Sequence, residues 1–391
     1  MTDATTAVPD PRVFPLAGSA APAAARLHAL AQASLDADTG PRAEALDREL
    51  RVELRHWLEG DGAALAALVD SAPSVAIARH LWRQLDGVWR ELTIDPAAGL
   101  AVTVFALPLV VVTGLDAANG ETTLPAALAA PQQLAGILQQ HGALAGNRTF
   151  ALADLLAAAE AIDIARLPEI LAWQRLPDAQ APGAAIPMRA LTPAPLKVAA
   201  GREGVHLRFL VGSGIARPGA DLVRDVEVGA WGLPLARELS RQLATPGASV
   251  LALPRAPNRP LPAVWQGRVA QREVGAQIFA SNAIRKLRAS VGEPVAVISA
   301  HRASDVPEGG ELRLSLSSPF APRDAEGFRC PLHPLDRIGD VVTMLTRLLA
   351  DCRVTDIRVL GRVHPDRDPA TGAPLLFKPD TIPPAATIVV H

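Results

Sequence analysis

The sequence has no tyrosine and only two cysteines, three lysines and four asparagines among its 391 residues. Two cysteines cannot make a disulfide framework in a chain of this length, which excludes a disulfide-stapled secreted domain and favours a reducing compartment. The first fifteen residues also lack the basic start and the apolar core of a secretory signal peptide. We therefore predict a cytoplasmic protein.

An excess of charge of one sign is missing as well. The 38 basic and 40 acidic side chains leave a net charge of −2, whereas a nucleic-acid-binding domain usually carries a marked positive excess. Nearly all basic residues are arginine, which suits anion recognition. The scarcity of lysine, asparagine and tyrosine beside 35 prolines is explained more simply by the codon usage of a GC-rich bacterial genome. We expect no nucleic-acid partner.

One long hydrophobic run is present, from Pro96 to Leu115, and its twenty residues carry no charge. That length is sufficient to cross a bilayer. The run is rich in β-branched residues, has Pro108 in its middle and is flanked by Asp95 and Asp116. These features favour two buried strands that meet at Pro108, because strands buried on both faces read as continuous apolar runs. We expect no membrane span.

The length of the chain favours two domains, since one hydrophobic core rarely grows to this size. We predict a flexible tail over residues 1–20 and a mainly helical domain over 21–175 that contains the buried strand pair. A Pro/Ala-rich linker is expected over 176–203, where prolines interrupt every period. An α/β domain is expected over 204–391. The fold class is therefore α/β, in the broad sense that includes α+β.

The C-terminal domain is predicted to have a mixed sheet built from recurring helix–strand–strand units. Three predicted helices have similar short sequences at their C-terminal ends. An apolar strand follows each of them within about a dozen residues. The predicted units are a helix at 233–244 with strands at 249–254 and 264–271, a helix at 276–290 with strands at 294–300 and 311–317, and a helix at 335–352 with strands at 356–363 and 374–378.

These units imply a candidate site. If they are oriented alike, the turns 254–260, 301–310 and 364–372 emerge at the same end of the sheet, and binding residues concentrate on such loops. The simpler interpretation is ordinary turn chemistry, with Pro, Gly and Asp shaping the turns and Arg in solvent. The candidate ligand-binding residues are Arg255, Arg302, Arg367, Asp366 and Asp368, and the candidate catalytic residues are His301, His364 and Asp305.

Other chemical motifs in the chain are incomplete. Ser299, His301 and Asp305 supply the residue types of a catalytic triad but lack the strained elbow that exposes a serine nucleophile. Cys330 and Cys352, with the histidines near them, lack the short paired spacing of a structural zinc site. No phosphate-binding loop is complete either. We therefore predict no metal and no cofactor, and no family motif is matched in full.

Two classes of function remain. The first is a non-enzymatic scaffold or assembly component of a bacterial cytoplasmic complex, whose partner is another protein or a second copy of the chain. The alternative is a hydrolase or transferase that acts on an anionic small molecule at the loop edge. In the alternative, His301 or His364 is the acid/base, and Arg302 holds the anion. A pocket around these residues would favour the enzyme, and an apolar surface on the N-terminal helices would favour the assembly component.

Overall fold

The computed structural model describes most of the chain, and every structural statement below concerns that part. The described residues are 20–93, 101–114, 122–125, 127–145, 150–181, 183–187, 196–198, 204–216, 222–223, 228–244, 248–252, 259–290, 292–302, 310–318, 321–380, 382 and 388–390. The predicted tail at 1–20 therefore lies almost entirely outside them, and a helix begins at Ala20.

Helices and strands alternate after an all-helical start. The helices are α1 (Ala20–Leu35), α2 (Gly40–Gly60), α3 (Gly62–Asp70), α4 (Val75–Thr93), α5 (Pro131–Gln140), α6 (Leu167–Gln174), α7 (Val228–Leu243), α8 (Pro260–Ser290) and α9 (Ile338–Asp351). The strands are β1 (Ala101–Thr113), β2 (Thr122–Leu124), β3 (Phe150–Ala157), β4 (Leu196–Val198), β5 (Gly204–Ala216), β6 (Ser249–Ala252), β7 (Val295–Arg302), β8 (Gly310–Ser318), β9 (Ala321–Pro331), β10 (Asp356–His364) and β11 (Ile388–Val390).

The first four helices pack as an amphipathic bundle. In α2 the buried residues recur every fourth position, which places one stripe against the core, as a helix with a single buried face requires. The side chain of Asp61 caps α3 by accepting the amide hydrogen of Ala64 at 2.9 Å. The bundle shares one hydrophobic core with β1, β3, β5 and the beginning of α8.

The apolar run from Pro96 forms one strand in the described part and not the expected pair. β1 continues through Pro108 and pairs with β5 over thirteen positions. β6 pairs with β1 only from Leu109 to Val112. The residue that would face Pro108 in this register, Leu253, lies outside the described residues. Alternate β1 residues face two different cores, which explains the unbroken apolar sequence. Among the described helices, none is long and apolar enough to cross a membrane.

The predicted linker at 176–203 separates strands that belong to one sheet. The order of this antiparallel sheet is β3-β5-β1-β6, so strands from both sides of the stretch alternate in it. Within the stretch itself, Ala179 and Ile186 are buried, and β4 pairs with β2. The pairing of β1 with β5 joins the two parts that the sequence suggested as separate domains.

The helix α8 replaces a predicted strand and helix. Residues 264–271, expected as a strand, are its first half, and 276–290 are its second half. Its first half crosses the first sheet at Gly267, where a Cβ atom would lie 2.7 Å from Leu207 Cδ1. Its second half packs on the second sheet. The close approach at Gly267 lets the helix pack tightly on the first sheet.

The second sheet is mixed, with the order β11-β10-β7-β8-β9 and β7 parallel to β10. One face packs on α8 and α9, and the residues 365–377 cover part of the other. This sheet differs from the prediction in two ways. Residues 374–378 do not form a strand, and strand β9 was not predicted. The threefold helix–strand–strand recurrence is therefore wrong, because its units are assigned to two different sheets and one of their strands is part of a helix.

Candidate functional site

The predicted loop edge comes together only in part. His301 and His364 are register partners at the ends of the parallel strands β7 and β10, and their ring centroids are 5.9 Å apart. The turn 254–260, by contrast, follows β6 of the other sheet and leads into α8. β7 and β10 thus end at the same edge of a sheet, because they are parallel neighbours. Residues 303–309 and 254–258 of the predicted turns lie outside the described residues. Arg255 and Asp305 lie outside the described residues.

Three residues of the loop edge, Arg302, Arg367 and Asp368, are solvent-exposed or bond within their own turn. Arg302 is exposed at the end of β7. Arg367 is exposed and donates a hydrogen bond to the carbonyl of Gly372 at 2.9 Å. Asp368 accepts the amide hydrogen of Ala370 at 2.8 Å. These contacts are the turn chemistry that shapes a hairpin.

His301 is hydrogen-bonded to Ser299, the serine of the possible triad, but both side chains are buried in the protein interior. Its Nδ1–H donates to the carbonyl of Pro365 at 2.8 Å, which leaves Nε2 to accept from the Ser299 hydroxyl at 2.7 Å. Both residues are at most 1% exposed. Burial lowers the pKa of His301, and the charges of Arg313 and of a protonated His364 lower it further. A buried, neutral imidazole of this kind has no access to a substrate.

A charged network missed by the sequence reasoning lies beside His301. Arg313, which is 1% exposed, forms ion pairs with Glu311 and Asp366. Its Nη1 also donates to the carbonyls of Asp366 at 2.6 Å and Leu375 at 2.9 Å. The second carboxylate oxygen of Glu311 accepts from Arg329 at 2.7 Å. Asp366 was predicted to bind a ligand. In the structure its ion pair with Arg313 holds the segment 365–377 on the second sheet.

His364 is packed in the same region. Its ring lies 4.5 Å from the ring of Phe377, centroid to centroid, and its Nε2 is buried without a hydrogen-bond partner among the described residues. Burial lowers the pKa of His364, and the nearby Arg362 lowers it further. The cluster thus packs two neutral histidines against an aromatic ring.

A second serine, histidine and aspartate cluster fastens the helical bundle. Asp47 accepts hydrogen bonds from the Ser34 hydroxyl, from His80 Nε2 at 2.9 Å and from the Gln84 amide at 2.8 Å. The serine and the histidine both contact the carboxylate. In a nucleophilic triad, by contrast, the serine hydroxyl is hydrogen-bonded to the histidine ring. This cluster ties α1, α2 and α4 together.

The described residues contain no group of three His, Cys, Asp or Glu side chains that could hold a metal ion. Cys330 is fully buried, and burial raises the pKa of its thiol to about 12. Cys352 caps the end of α9 and is half-buried. The two thiols are packing residues of the core under α9.

A cleft of about 560 Å³ lies where α4, α8 and the start of α9 meet. Sites for small ligands typically enclose about 300–1,000 Å³ and are mostly apolar with a few fixed polar groups. No serine, threonine, cysteine, lysine or histidine is among the described residues that line it. The lining residues are Trp82, Arg83, Asp86, Leu261, Pro262, Trp265, Val269, Arg272, Glu273, Leu335, Asp336, Arg337, Asp340, Val341 and Met344.

Asp336 fixes the floor of the cleft. Its carboxylate accepts from Trp265 Nε1 at 3.1 Å, from Arg272 Nη1 at 2.5 Å and from the amide of His333 at 2.8 Å. These three donors hold the pKa of the Asp336 carboxyl below its usual value, although burial alone raises it. Arg79 adds hydrogen bonds of 2.9 Å to the carbonyls of Pro334 and Asp336. The walls are therefore held in place by the protein itself.

One polar group on the wall is incompletely satisfied. Asp86 forms an ion pair with Arg259 through Oδ2, and its Oδ1 is buried with no hydrogen-bond partner among the described residues. Burial raises the pKa of Asp86, and Arg259 only partly opposes this effect. An unpaired carboxylate oxygen in an apolar cleft is costly, about 1–3 kcal/mol for a typical buried polar group.

Sequence reasoning did not find this cleft. Trp265 lies in a segment that was expected as a strand. The lining residues come from the ranges 82–86, 261–273 and 335–344, so no local pattern joins them. The two tryptophans of the lining, Trp82 and Trp265, are the one sequence signal, and they are weak evidence without the fold.

Comparisons with known proteins add no family. No protein-family model matches the chain, and neither the curated proteins nor the solved structures give a significant match. The fold and the cleft are therefore the basis for any proposal about function.

Proposed function

We propose that the protein is a non-enzymatic component of an assembly and that it holds its partner in the α4–α8–α9 cleft. The observation that carries the proposal is the character of the cleft. Its lining combines apolar side chains, two of them tryptophans, with arginines and carboxylates, and among the described residues it includes no serine, threonine, cysteine, lysine or histidine. Aromatic and arginine side chains in a desolvated depression are typical of protein-binding hot spots.

The rigidity of the cleft supports the same proposal. Asp336 fixes the indole of Trp265 and the guanidinium of Arg272 by direct hydrogen bonds. Side chains that are already ordered lose little conformational entropy on binding, so more of the contact energy appears as affinity. The cleft also lies between the helical bundle and the second sheet, and ligand sites occur preferentially at such junctions.

The alternative is a hydrolase or transferase that acts on an anionic small molecule, and one contact favours it. The 2.7 Å hydrogen bond between Ser299 and His301 is the geometry that a serine nucleophile and its base require. Ser299 is 0% exposed, however. Catalysis there requires displacement of the segment that Arg313 holds. A Ser299→Ala protein that loses a hydrolytic activity of the wild type would favour the enzyme.

Site-specific photocrosslinking in the cells that make the protein tests the assembly proposal. A photoreactive phenylalanine in place of Met344 places the crosslinker in the cleft. The control replaces Val52, which is 67% exposed on α2 and lies outside the cleft. We expect a discrete crosslinked species from the cleft position alone. Identical adducts from both positions, or none from the cleft, would contradict the proposal.

A further inference from the structure

We propose that the polar face of the second sheet is a binding site for a small carboxylate, and that the side chain of Asp366 occupies this site as an internal ligand. Asp366 belongs to the segment 365–377, called the flap below, which covers part of that face. The inference goes beyond the assembly proposal, because α8 and α9, which border the cleft, pack on the other face of the sheet.

The residues under the flap form a polar floor on two neighbouring strands. Ser299 on β7 lies opposite Arg313 on β8, and His301 lies opposite Glu311. Alternate residues of a strand point to one side, so the serines that follow Arg313 at every second position share this face. All these side chains are at most 2% exposed. The floor residues are Ser299, His301, Glu311, Arg313, Ser315 and Ser317.

Two hydroxyls of the floor are unpaired. Ser315 Oγ and Ser317 Oγ are buried, and no described residue is a hydrogen-bond partner of either. Gly327, the register partner of Ser315 on β9, lies under the flap, where a Cβ atom would come within 2.5 Å of Leu376 Cδ2. An apolar flap residue thus packs beside a hydroxyl that it cannot satisfy, which is unfavourable. A polar ligand matches this floor better than the flap does.

Asp366 contacts the floor as an anionic ligand would. Its carboxylate forms an ion pair with Arg313, and the same guanidinium donates to the carbonyls of Asp366 at 2.6 Å and Leu375 at 2.9 Å. Glu311 is shared between Arg313 and Arg329, so it balances the charge of Arg313 only in part. Arginine binds carboxylates through directed, charge-assisted hydrogen bonds. The carboxylate of Asp366 therefore marks the position at which a free carboxylate binds once the flap has moved away.

The flap is a small hairpin that can lift without unpairing the sheet. Its two arms are bonded to each other, from the amide of Asp368 to the carbonyl of Ala373 at 2.9 Å and from the amide of Leu375 to the carbonyl of Asp366 at 3.1 Å. Residues 369–374 at its tip are exposed. Lifting breaks the contacts between the flap and the floor but leaves the pairing of β7 with β8 intact, which is a local opening and not unfolding.

A free carboxylate competes with Asp366 for Arg313. A tethered ligand acts at an effective concentration in the millimolar range, so the wild type binds a simple carboxylate weakly, and loss of the Asp366 side chain strengthens this binding. The natural ligand needs further contacts to displace the flap. The unpaired hydroxyls of Ser315 and Ser317 supply them.

NMR titration of the full-length protein at constant ionic strength tests the site. The probes are acetate and acetamide, its neutral isostere, and the variant is Asp366→Ala. We expect the variant to bind acetate about tenfold or more tightly than it binds acetamide, and about tenfold or more tightly than the wild type binds acetate. The control is Asp368→Ala, which removes a carboxylate that accepts within the same flap from the amide of Ala370 and should behave as the wild type does.

The movement of the flap is tested separately, on a protein that keeps Asp366. The substitution Ser315→Cys places a thiol in the floor, and peptide mapping distinguishes it from Cys330 and Cys352. We expect the introduced thiol to react with iodoacetamide at lower urea concentrations than the fully buried Cys330, since lifting of the flap precedes unfolding.

The outcomes decide the inference independently of the assembly function. Acetate binding by Asp366→Ala that is no tighter than its acetamide binding, or no tighter than acetate binding by the wild type, overturns it. An introduced thiol that reacts only together with Cys330 also overturns it, and this second measurement decides alone if Asp366→Ala does not fold. The photocrosslinking result at Met344 tests the assembly function whichever of these results is obtained.

Discussion

His333 gives the sharpest prediction about pH. The residue lies in the connection between β9 and α9, is 8% exposed, and packs edge-on against Trp82 at 4.6 Å between ring centroids. Its Nδ1 accepts from the amide of Leu335 at 3.2 Å, and its Nε2 is buried with no hydrogen-bond partner in the described part of the chain. A neutral ring fits these surroundings, and a protonated ring does not.

The size of the effect follows from the shift in pKa. Burial is the main cause that lowers the pKa of His333 from 6.5 to about 4, and the charges of Arg268 and Arg272 act in the same direction. The unfolded chain therefore takes up this proton below pH 6.5, while the folded chain resists it until about pH 4. The stabilising effect is fully present above pH 6.5 and is lost as the pH falls, by about 3 kcal/mol between pH 7 and pH 4.

Urea unfolding at a series of pH values measures this loss. In a His333→Asn protein the amide oxygen can still accept the Leu335 hydrogen bond, but the side chain no longer titrates. We expect the free energy of unfolding of the variant to fall by about 3 kcal/mol less than that of the wild type between pH 7 and pH 4. The other buried histidines titrate in both proteins, so their contributions cancel in the difference.

A matched control and a direct observation make the reasoning refutable. His56 is exposed on α2, so His56→Asn should leave the pH dependence of the wild type unchanged. The ring protons of His333, followed by NMR, should titrate well below pH 6. A titration of His333 near pH 6.5, or parallel curves for the wild type and His333→Asn, would refute the assignment of a buried neutral ring.

Three further predictions concern stability and access. Cys330 should react with a bulky thiol reagent only on unfolding, whereas the half-buried Cys352 should react in the native state, and native labelling of Cys330 would contradict its burial. Asp336→Ala should lower the free energy of unfolding by about 3–5 kcal/mol, because Arg272 would keep its buried charge without its carboxylate; a loss under about 1 kcal/mol would contradict this. A single proteolytic cut within 176–203 should leave both fragments together on size exclusion in native buffer, since β1 and β5 pair across the cut, and separation without denaturant would argue against the shared sheet.

Secondary structure was predicted correctly from the sequence where a helix or strand packs on a single core along its whole length. The stripe of α9 and the runs of β7 and β10 were predicted within a few residues, because each packs on a single core throughout its length. The apolar run at β1 was correctly expected to be buried. Its division at Pro108 was wrong because β1 continues through the proline and pairs with β5 on both sides of it.

Prediction from the sequence failed where the environment changes along one element. The helix α8 buries Val264 against the bundle, Val274 beside the first sheet and Ala280 under the second. Its buried stripe therefore moves around the helix, and no single 3.6-residue period covers all 31 residues. The short stretch 264–271 consequently resembled a strand. Only the packing of both sheets on one helix resolves the ambiguity.

The candidate site was only partly predictable for the same kind of reason. The meeting of His301 and His364 follows from two parallel strands that end side by side, which strand direction alone can suggest. The cleft is formed by three segments that lie more than 60 positions apart in the sequence, and it depends on how the bundle packs against the second sheet. Contacts of that range leave no local period in the sequence.

The polar residues that looked catalytic are better explained by the burial of β8 on both faces. Residues 311–318 are all buried, with leucines toward α8 and α9 and polar side chains, including Arg313, toward the opposite face. A buried polar face must be matched by donors and acceptors, and the segment after β10 brings the carbonyls of Asp366 and Leu375 to Arg313. His301 then donates to the carbonyl of Pro365 in the same segment. The burial of β8 on both faces therefore accounts for these polar residues through the packing of the segment 365–377 on the second sheet.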